Sequence, residues 1–177
     1  LIEKYNKLYR SKDVLFNCEM IPAENVGVKH ARWDRADGYY VPRDCYNSYF
    51  YVVEDTATDV IEKFRLHGRK YIEHLTGGSA LHMNLDEHLS AAQYRQLLRV
   101  AAHEGCNYFT YNIPNTLCND CGTIDKRYLK ECPHCHSRNV DYLTRIIGYL
   151  KRVSNFSLDR QKEAARRHYA HHGAQAS

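Results

Sequence analysis

No run of apolar residues in this 177-residue chain approaches the roughly twenty that a helix needs to cross a bilayer. The opening "LIEKYNKLYR" also lacks the charged-then-apolar order of a signal peptide. The reading is therefore a cytoplasmic protein with no membrane partner. Internal repeats are missing, and so are low-complexity stretches, apart from a polar tail, "HHGAQAS", that is expected to be disordered. No long block of one charge sign occurs: 25 basic residues are spread among 21 acidic ones, for a formal net charge of +4, which permits nucleic acid without demanding it. The first residue is Leu rather than Met, and the chain reads as a fragment of something longer.

A disulfide framework is excluded in the same way. Seven cysteines are an odd number, and without a secretory signal they point to reduced thiols. Four of them, Cys118, Cys121, Cys132 and Cys135, form C-x2-C-x10-C-x2-C in "CNDCG" and "CPHCH". Two residues between thiolates let one tight turn offer both sulfurs to one ion, and the intervening segment returns the second pair to complete a tetrahedron. Four thiolates leave no open position for water, so a structural zinc ion in a zinc ribbon is expected rather than a catalytic metal or a redox dithiol. His134 and His136 are read as bystanders. Lys126, Arg127, Lys130 and Arg138 around the motif look like a solvated surface, not a dense basic stripe, and nucleic acid is not expected as a partner.

Upstream, "DTATDVIEKFRLHGRKYIEHLTGG" places Val60, Ile61, Phe64, Gly68, Tyr71, Ile72 and Leu75 on one helical face, with Gly77 and Gly78 to stop it. "SALHMNL" alternates Leu81, Met83 and Leu85 with Ala80, His82 and Asn84, which predicts a strand with two unlike faces. Ser90 and Gln93 form a capping box, and Leu89 is placed to pack on Tyr94. Tyr94, Leu97, Leu98 and Ala101 continue an apolar stripe that Gly105 ends. "CNYFTYNIPN" then reads as a strand closed by Pro114. Helix, strand, helix, strand is the rhythm of an α/β architecture with parallel strands. In the first fifty residues, Pro22, Pro42 and several glycines suggest loops and short extended pieces.

Gly148 stands in "RIIGYL", among Ile146, Ile147 and Leu150. Taken alone, a buried glycine signals close backbone packing or a positive φ. The wider sequence "RIIGYLKRVSNFSLDRQKEAARRHY", preceded by the four-cysteine motif, by "TGGSALHMNL" and by "FNCEMIPAENVGVKHARWD", resembles the C-terminal end of anaerobic (class III) ribonucleoside-triphosphate reductases.

That resemblance covers nearly the whole chain. It implies an oxidoreductase that makes deoxyribonucleotides for DNA replication, and the C-terminal part of a ten-stranded α/β barrel of the glycyl radical enzyme type. Barrel elements would span residues 1–113, the zinc ribbon 114–140, the glycyl radical loop 141–157 and a basic helical tail 158–177. In the family, R-x-x-G-Y carries the glycyl radical, and Gly148 is the matching position. An activase with an iron–sulfur cluster and S-adenosylmethionine would generate the radical. A cysteine of the barrel, upstream of this chain, would carry it to a ribonucleoside triphosphate, with formate or a thioredoxin-like protein as reductant. The full-length enzyme is expected to be a homodimer, and this fragment is expected to be inactive alone. None of Cys18, Cys45 and Cys106 matches the barrel cysteine, and each reads as a small buried hydrophobe. In "MIPAENVGVK", the backbone at Ala23, Glu24 and Asn25 is a candidate site for substrate phosphates ahead of a helix. Two alternatives stay open: a zinc-ribbon module that binds nucleic acid or protein, and a different glycyl radical enzyme.

Overall fold

The computed structural model describes residues 1–22, 25–47, 49–145 and 149–169. Ala23, Glu24, Gly148 and the tail from 170 lie outside these ranges. Among the described residues, no helix is long and apolar enough to cross a membrane.

Helix α1 (Ile2–Tyr9) and helix α2 (Val26–Ala36) occupy a region whose prolines and glycines suggest loops. Pro22 lies ahead of α2 and Pro42 beyond it, so neither interrupts a helix. Strand β1 (Glu19–Met20) lies between the two helices.

The single helical face read over residues 60–75 is split into α3 (Val60–Leu66) and α4 (Arg69–Ile72). Asp59 caps α3, its carboxylate accepting the Glu62 N–H at 2.7 Å. The break falls at Gly68, where a Cβ would lie 2.4 Å from the Glu104 carbonyl oxygen and 3.0 Å from that of Phe64. Two helix ends meet there, backbone against backbone, and only glycine leaves room. Gly77 and Gly78 do not end a helix: the Gly77 N–H pairs with the Cys18 carbonyl at 2.8 Å, and Gly78 opens strand β2 (Gly78–Ser79).

Strand β3 (Leu81–Asn84), helix α5 (Ala91–Glu104) and strand β4 (Phe109–Asn112) make a strand–helix–strand unit with β3 and β4 parallel. β1 and β2 are also parallel. The expected α/β rhythm is present here. The alternation in β3 does not produce unlike faces, because all four of its residues are buried, as strands covered on both sides are. The α5 capping box forms, with Ser90 N–H on Gln93 Oε1 at 2.8 Å and Gln93 N–H on Ser90 Oγ at 3.3 Å, and the helix ends at Gly105. Leu97 and Ala101 face inward, whereas Leu98 is exposed.

Phe64, Leu81, Met83, Leu85, Leu89, Leu97 and Ala101 form the core between these helices and strands. Such burial contributes roughly 1.5–3 kcal/mol per large side chain. Lys63 and His67 of the same helical turn are buried with them. The Lys63 ammonium sits 5.0 Å from the Tyr51 ring centroid, and burial lowers its pKa.

A four-stranded sheet, of order β6-β5-β7-β8, follows: β5 (Asn115–Cys118), β6 (Ile124–Asp125), β7 (Val140–Arg145) and β8 (Leu150–Arg152), all neighbours antiparallel. Thus the cysteine-bearing segment and the segment that brackets Gly148 share one sheet. Helix α6 (Leu158–Arg166) closes the described chain. Two of the arginines here are not solvated: the side chains of Arg160, and of Arg167 just beyond the helix, are buried on a shared partner, Glu163, with Arg167 bonded to both carboxylate oxygens at 2.9 Å.

Candidate metal centre and the hairpin beside it

Cys118 is the last residue of β5, and the turn that follows brings Cys121 back beside it. The Cys118 N–H donates to the Thr123 carbonyl at 2.9 Å, and the Gly122 N–H to the Cys118 carbonyl at 3.0 Å. The second pair repeats this pattern. Cys132 N–H donates to the Ser137 carbonyl at 2.8 Å, and His136 N–H to the Cys132 carbonyl at 3.0 Å. Asp120 joins the two turns, accepting from the Ser137 hydroxyl and from Asn139 Nδ2, and these bonds hold its carboxyl below the usual range.

The four sulfurs all lie within 4.8 Å of one another, with Cys118 Sγ 3.5 Å from Cys135 Sγ and Cys121 Sγ 3.6 Å from Cys132 Sγ. A tetrahedral ion with Zn–S bonds of about 2.3 Å needs sulfur separations of roughly 3.8 Å, so the cluster fits such an ion. The Thr123 hydroxyl, 3.1 Å from Cys121 Sγ, stabilises the thiolate there, and the Cys121 pKa is lowered to about 5. Cys135 moves the other way, to about 12: the Ser137 backbone N–H pulls it down, and Cys121, burial, Cys118 and Cys132 outweigh that pull. Thiols this close share protons as a cluster, and a bound cation would hold all four deprotonated. Among the described residues, His134 and His136 are not part of the group that could hold a metal ion.

The four-thiol cluster is tied to the β7–β8 hairpin. Thr116 Oγ1 accepts the Leu129 N–H at 2.8 Å and donates to the Arg127 carbonyl at 2.7 Å, which fixes the segment between the cysteine pairs. Tyr142 of β7 stacks on Tyr128 at 4.1 Å and donates to the Leu129 carbonyl at 3.1 Å. At the open end of the hairpin, the Ser154 hydroxyl donates to Asp141 at 2.6 Å. At the other end Arg145 pairs with Leu150, and these two residues bracket Gly148 in the chain. Gly148 itself lies outside the described residues.

Sequence reasoning missed a buried polar chain at this end. Asn112 of β4 donates from Nδ2 to Asn84 Oδ1 on β3 at 2.7 Å. Its Oδ1 accepts the Thr144 hydroxyl at 2.7 Å and the Arg145 N–H at 2.8 Å. Arg145 reaches Thr110 Oγ1 at 3.0 Å, and Arg167 donates to the Arg145 carbonyl at 3.2 Å. Asparagines are depleted in strands, so two in the buried strands β3 and β4 were the signal available. A cavity of about 990 Å³ opens beyond the carboxyl ends of β3 and β4, with Thr144, Arg167, Tyr128 and Leu129 in its wall.

Of the phosphate candidates, only Asn25 is described. It precedes α2, accepts the Lys29 N–H on its carbonyl at 2.9 Å, and takes the Ser157 hydroxyl on Oδ1 at 3.4 Å. Of the single cysteines, Cys45 and Cys106 are buried and Cys18 is partly so. Burial pushes the Cys106 thiol up to about 11, as suits an inert core group.

A family model described as anaerobic ribonucleoside-triphosphate reductase matches residues 1–170. A solved structure described as an anaerobic ribonucleotide reductase is 32% identical and superposes with a TM-score of 0.79, over 96% of this chain and 27% of its own. Another, the anaerobic ribonucleotide reductase of Thermotoga maritima in complex with dATP and CTP, is 31% identical with a TM-score of 0.73, over 91% of this chain and 26% of its own. No curated protein matches significantly. The chain spans about a quarter of the length of the solved structures it matches.

Proposed function

Because the chain belongs to the anaerobic ribonucleoside-triphosphate reductase family, we propose that it is the radical-storing C-terminal part of such an enzyme. In this reading Gly148 is the glycyl radical residue, and Cys118, Cys121, Cys132 and Cys135 hold a structural zinc ion. The observation that supports it is the placement of Arg145, the arginine with which R-x-x-G-Y begins: it ends a strand of the hairpin that shares a sheet with Cys118, and it is bonded to the parallel strand pair.

The residue type follows from the chemistry. Loss of one Cα hydrogen from glycine leaves an unpaired electron shared with the flanking amide groups, and without a Cβ the centre flattens at no steric cost. An activase carrying an iron–sulfur cluster and S-adenosylmethionine would remove that hydrogen. In turnover, a barrel cysteine outside this chain gives its S–H hydrogen atom to the Gly148 Cα, which restores the glycine and leaves a thiyl. The thiyl takes the 3′-hydrogen of a ribonucleoside triphosphate, which starts loss of the 2′-hydroxyl. Formate or a thioredoxin-like protein supplies the electrons.

Four thiolates close the zinc coordination sphere, so the ion supplies rigidity rather than acid–base or redox chemistry. Ala23, Glu24 and Asn25 would meet substrate phosphate through backbone N–H groups ahead of α2. The complete enzyme would act as a cytoplasmic homodimer.

The test is anaerobic incubation of the full-length parent with activase and S-adenosylmethionine, read by electron paramagnetic resonance. Wild type gives a doublet, and Gly148→Ala gives none. A Gly148→Ala variant that keeps the doublet refutes the assignment.

A further inference from the structure

We propose that Asn112 is a positioning residue for the radical site, clamping the β7–β8 hairpin to the parallel strand pair at the end nearest Gly148. The clamp rests on geometry alone; its meaning for catalysis rests on the reading of Gly148 given above.

The clamp sits where backbone pairing stops. β5 begins at Asn115, opposite Leu143, so its ladder does not extend to Thr144 and Arg145. The residue before it, Pro114, has no N–H to offer. Asn112 fills the gap with its side chain. Oδ1 receives both the Thr144 hydroxyl and the Arg145 N–H, at 2.7 and 2.8 Å. Nδ2 is spent on Asn84, which is the register partner of Asn112 on β3. Asn84, Asn112 and Thr144 are each no more than 2% exposed. In such a setting an unmade hydrogen bond is not replaced by water, so the amide is held in one orientation.

Two further contacts aim at the same residue. Arg145 donates to Thr110, two positions before Asn112 and on the same face of β4. Arg167 donates to the Arg145 carbonyl at 3.2 Å and lies 3.5 Å from Thr144 Oγ1. Arg145 is thereby gripped at its N–H, its carbonyl and its guanidinium. Gly148 follows three residues later, a reach of at most about 11 Å of chain. Fixing Arg145 fixes the start of the radical segment, on which both shielding and hydrogen-transfer geometry depend.

The experiment compares full-length wild type with Asn112→Ala and Asn112→Asp. The Asp variant keeps both acceptor bonds, and Asn84 can turn its amide to donate to it. In unactivated protein, hydrogen exchange of peptides spanning residues 140–153 is expected to be about ten-fold faster in Asn112→Ala and close to wild type in Asn112→Asp. Exchange around the four cysteines and metal content should be unchanged. After activation, the radical signal should decay about ten-fold faster in Asn112→Ala and recover its persistence in Asn112→Asp. If Asn112→Ala does not fold, the near-isosteric Thr144→Val removes one donor and should give an intermediate effect.

Hairpin exchange that stays at the wild-type rate, or rises only in step with the whole protein, overturns the clamp. Faster exchange with an unaltered radical lifetime overturns its catalytic meaning. If wild type forms no radical at all, the reading of Gly148 fails, and the exchange result alone upholds or overturns the clamp.

Discussion

Gly122 and His136 hold the same place in the two cysteine turns: each lies four residues after a cysteine, donates its N–H to that cysteine's carbonyl, and has a positive φ, +73° and +58° respectively. Left-handed backbone suits glycine and costs other residues about 1–2 kcal/mol. His136→Gly should therefore raise stability by up to about 1 kcal/mol, and Gly122→Ala should lower it by about 1 kcal/mol. Chemical denaturation of the metal-loaded protein measures both. Metal content should not change in His136→Gly, because the imidazole is not a ligand.

The sulfur cluster predicts one ion per reduced chain, measured by elemental analysis, with zinc as the metal. Removing it with a chelator, or by Cys135→Ser, should unfold the segment from Asn115 to Arg152, because metal binding in such sites contributes on the order of 10 kcal/mol to folding. Hydrogen exchange should collapse to unprotected rates there, while α5 and the β3–β4 pair stay protected.

His67 makes an acid-sensitive contribution. Fully buried, with Nδ1 3.0 Å from Ser79 Oγ, it has its pKa lowered by desolvation to about 4. In the unfolded chain the imidazole titrates near 6.5. At neutral pH both states are uncharged and the full stability is present. As pH falls from about 6.5 toward 4, only the unfolded chain takes up the proton, and up to roughly 3 kcal/mol is lost. His67→Gln should flatten the stability slope across that window relative to wild type, as followed by urea denaturation.

Glu163 lies between two buried arginines. Glu163→Ala leaves the Arg167 guanidinium without its carboxylate in a buried setting and should cost about 3–5 kcal/mol. Glu163→Gln, which keeps an acceptor, should cost less.

Local chemistry was legible in the sequence. The Ser90–Gln93 capping box and the helix end at Gly105 depend on residues close together in the chain, and the structure has both. Cysteine spacing reported the four-thiol cluster for the same reason, since two-residue gaps build each turn without outside help. What stayed hidden depended on distant partners. The split between α3 and α4 comes from the Glu104 carbonyl pressing on Gly68, a contact across 36 positions that periodicity along one helix cannot register. Asn84 and Asn112 look out of place in strands until parallel register sets them side by side beneath Arg145. Lys63 in α3 and His67 at its end, both polar letters, are buried because the aromatic rings that receive them come from residues 49–51.

Electron paramagnetic resonance of the activated full-length enzyme, made with ordinary glycine and with glycine deuterated at Cα, reads the proposed radical position itself. An electron on the Gly148 Cα couples to the single hydrogen left there, so the expected signal is a doublet that collapses to one line on deuteration and is missing in Gly148→Ala. A doublet that survives deuteration, or persists in Gly148→Ala, would contradict it.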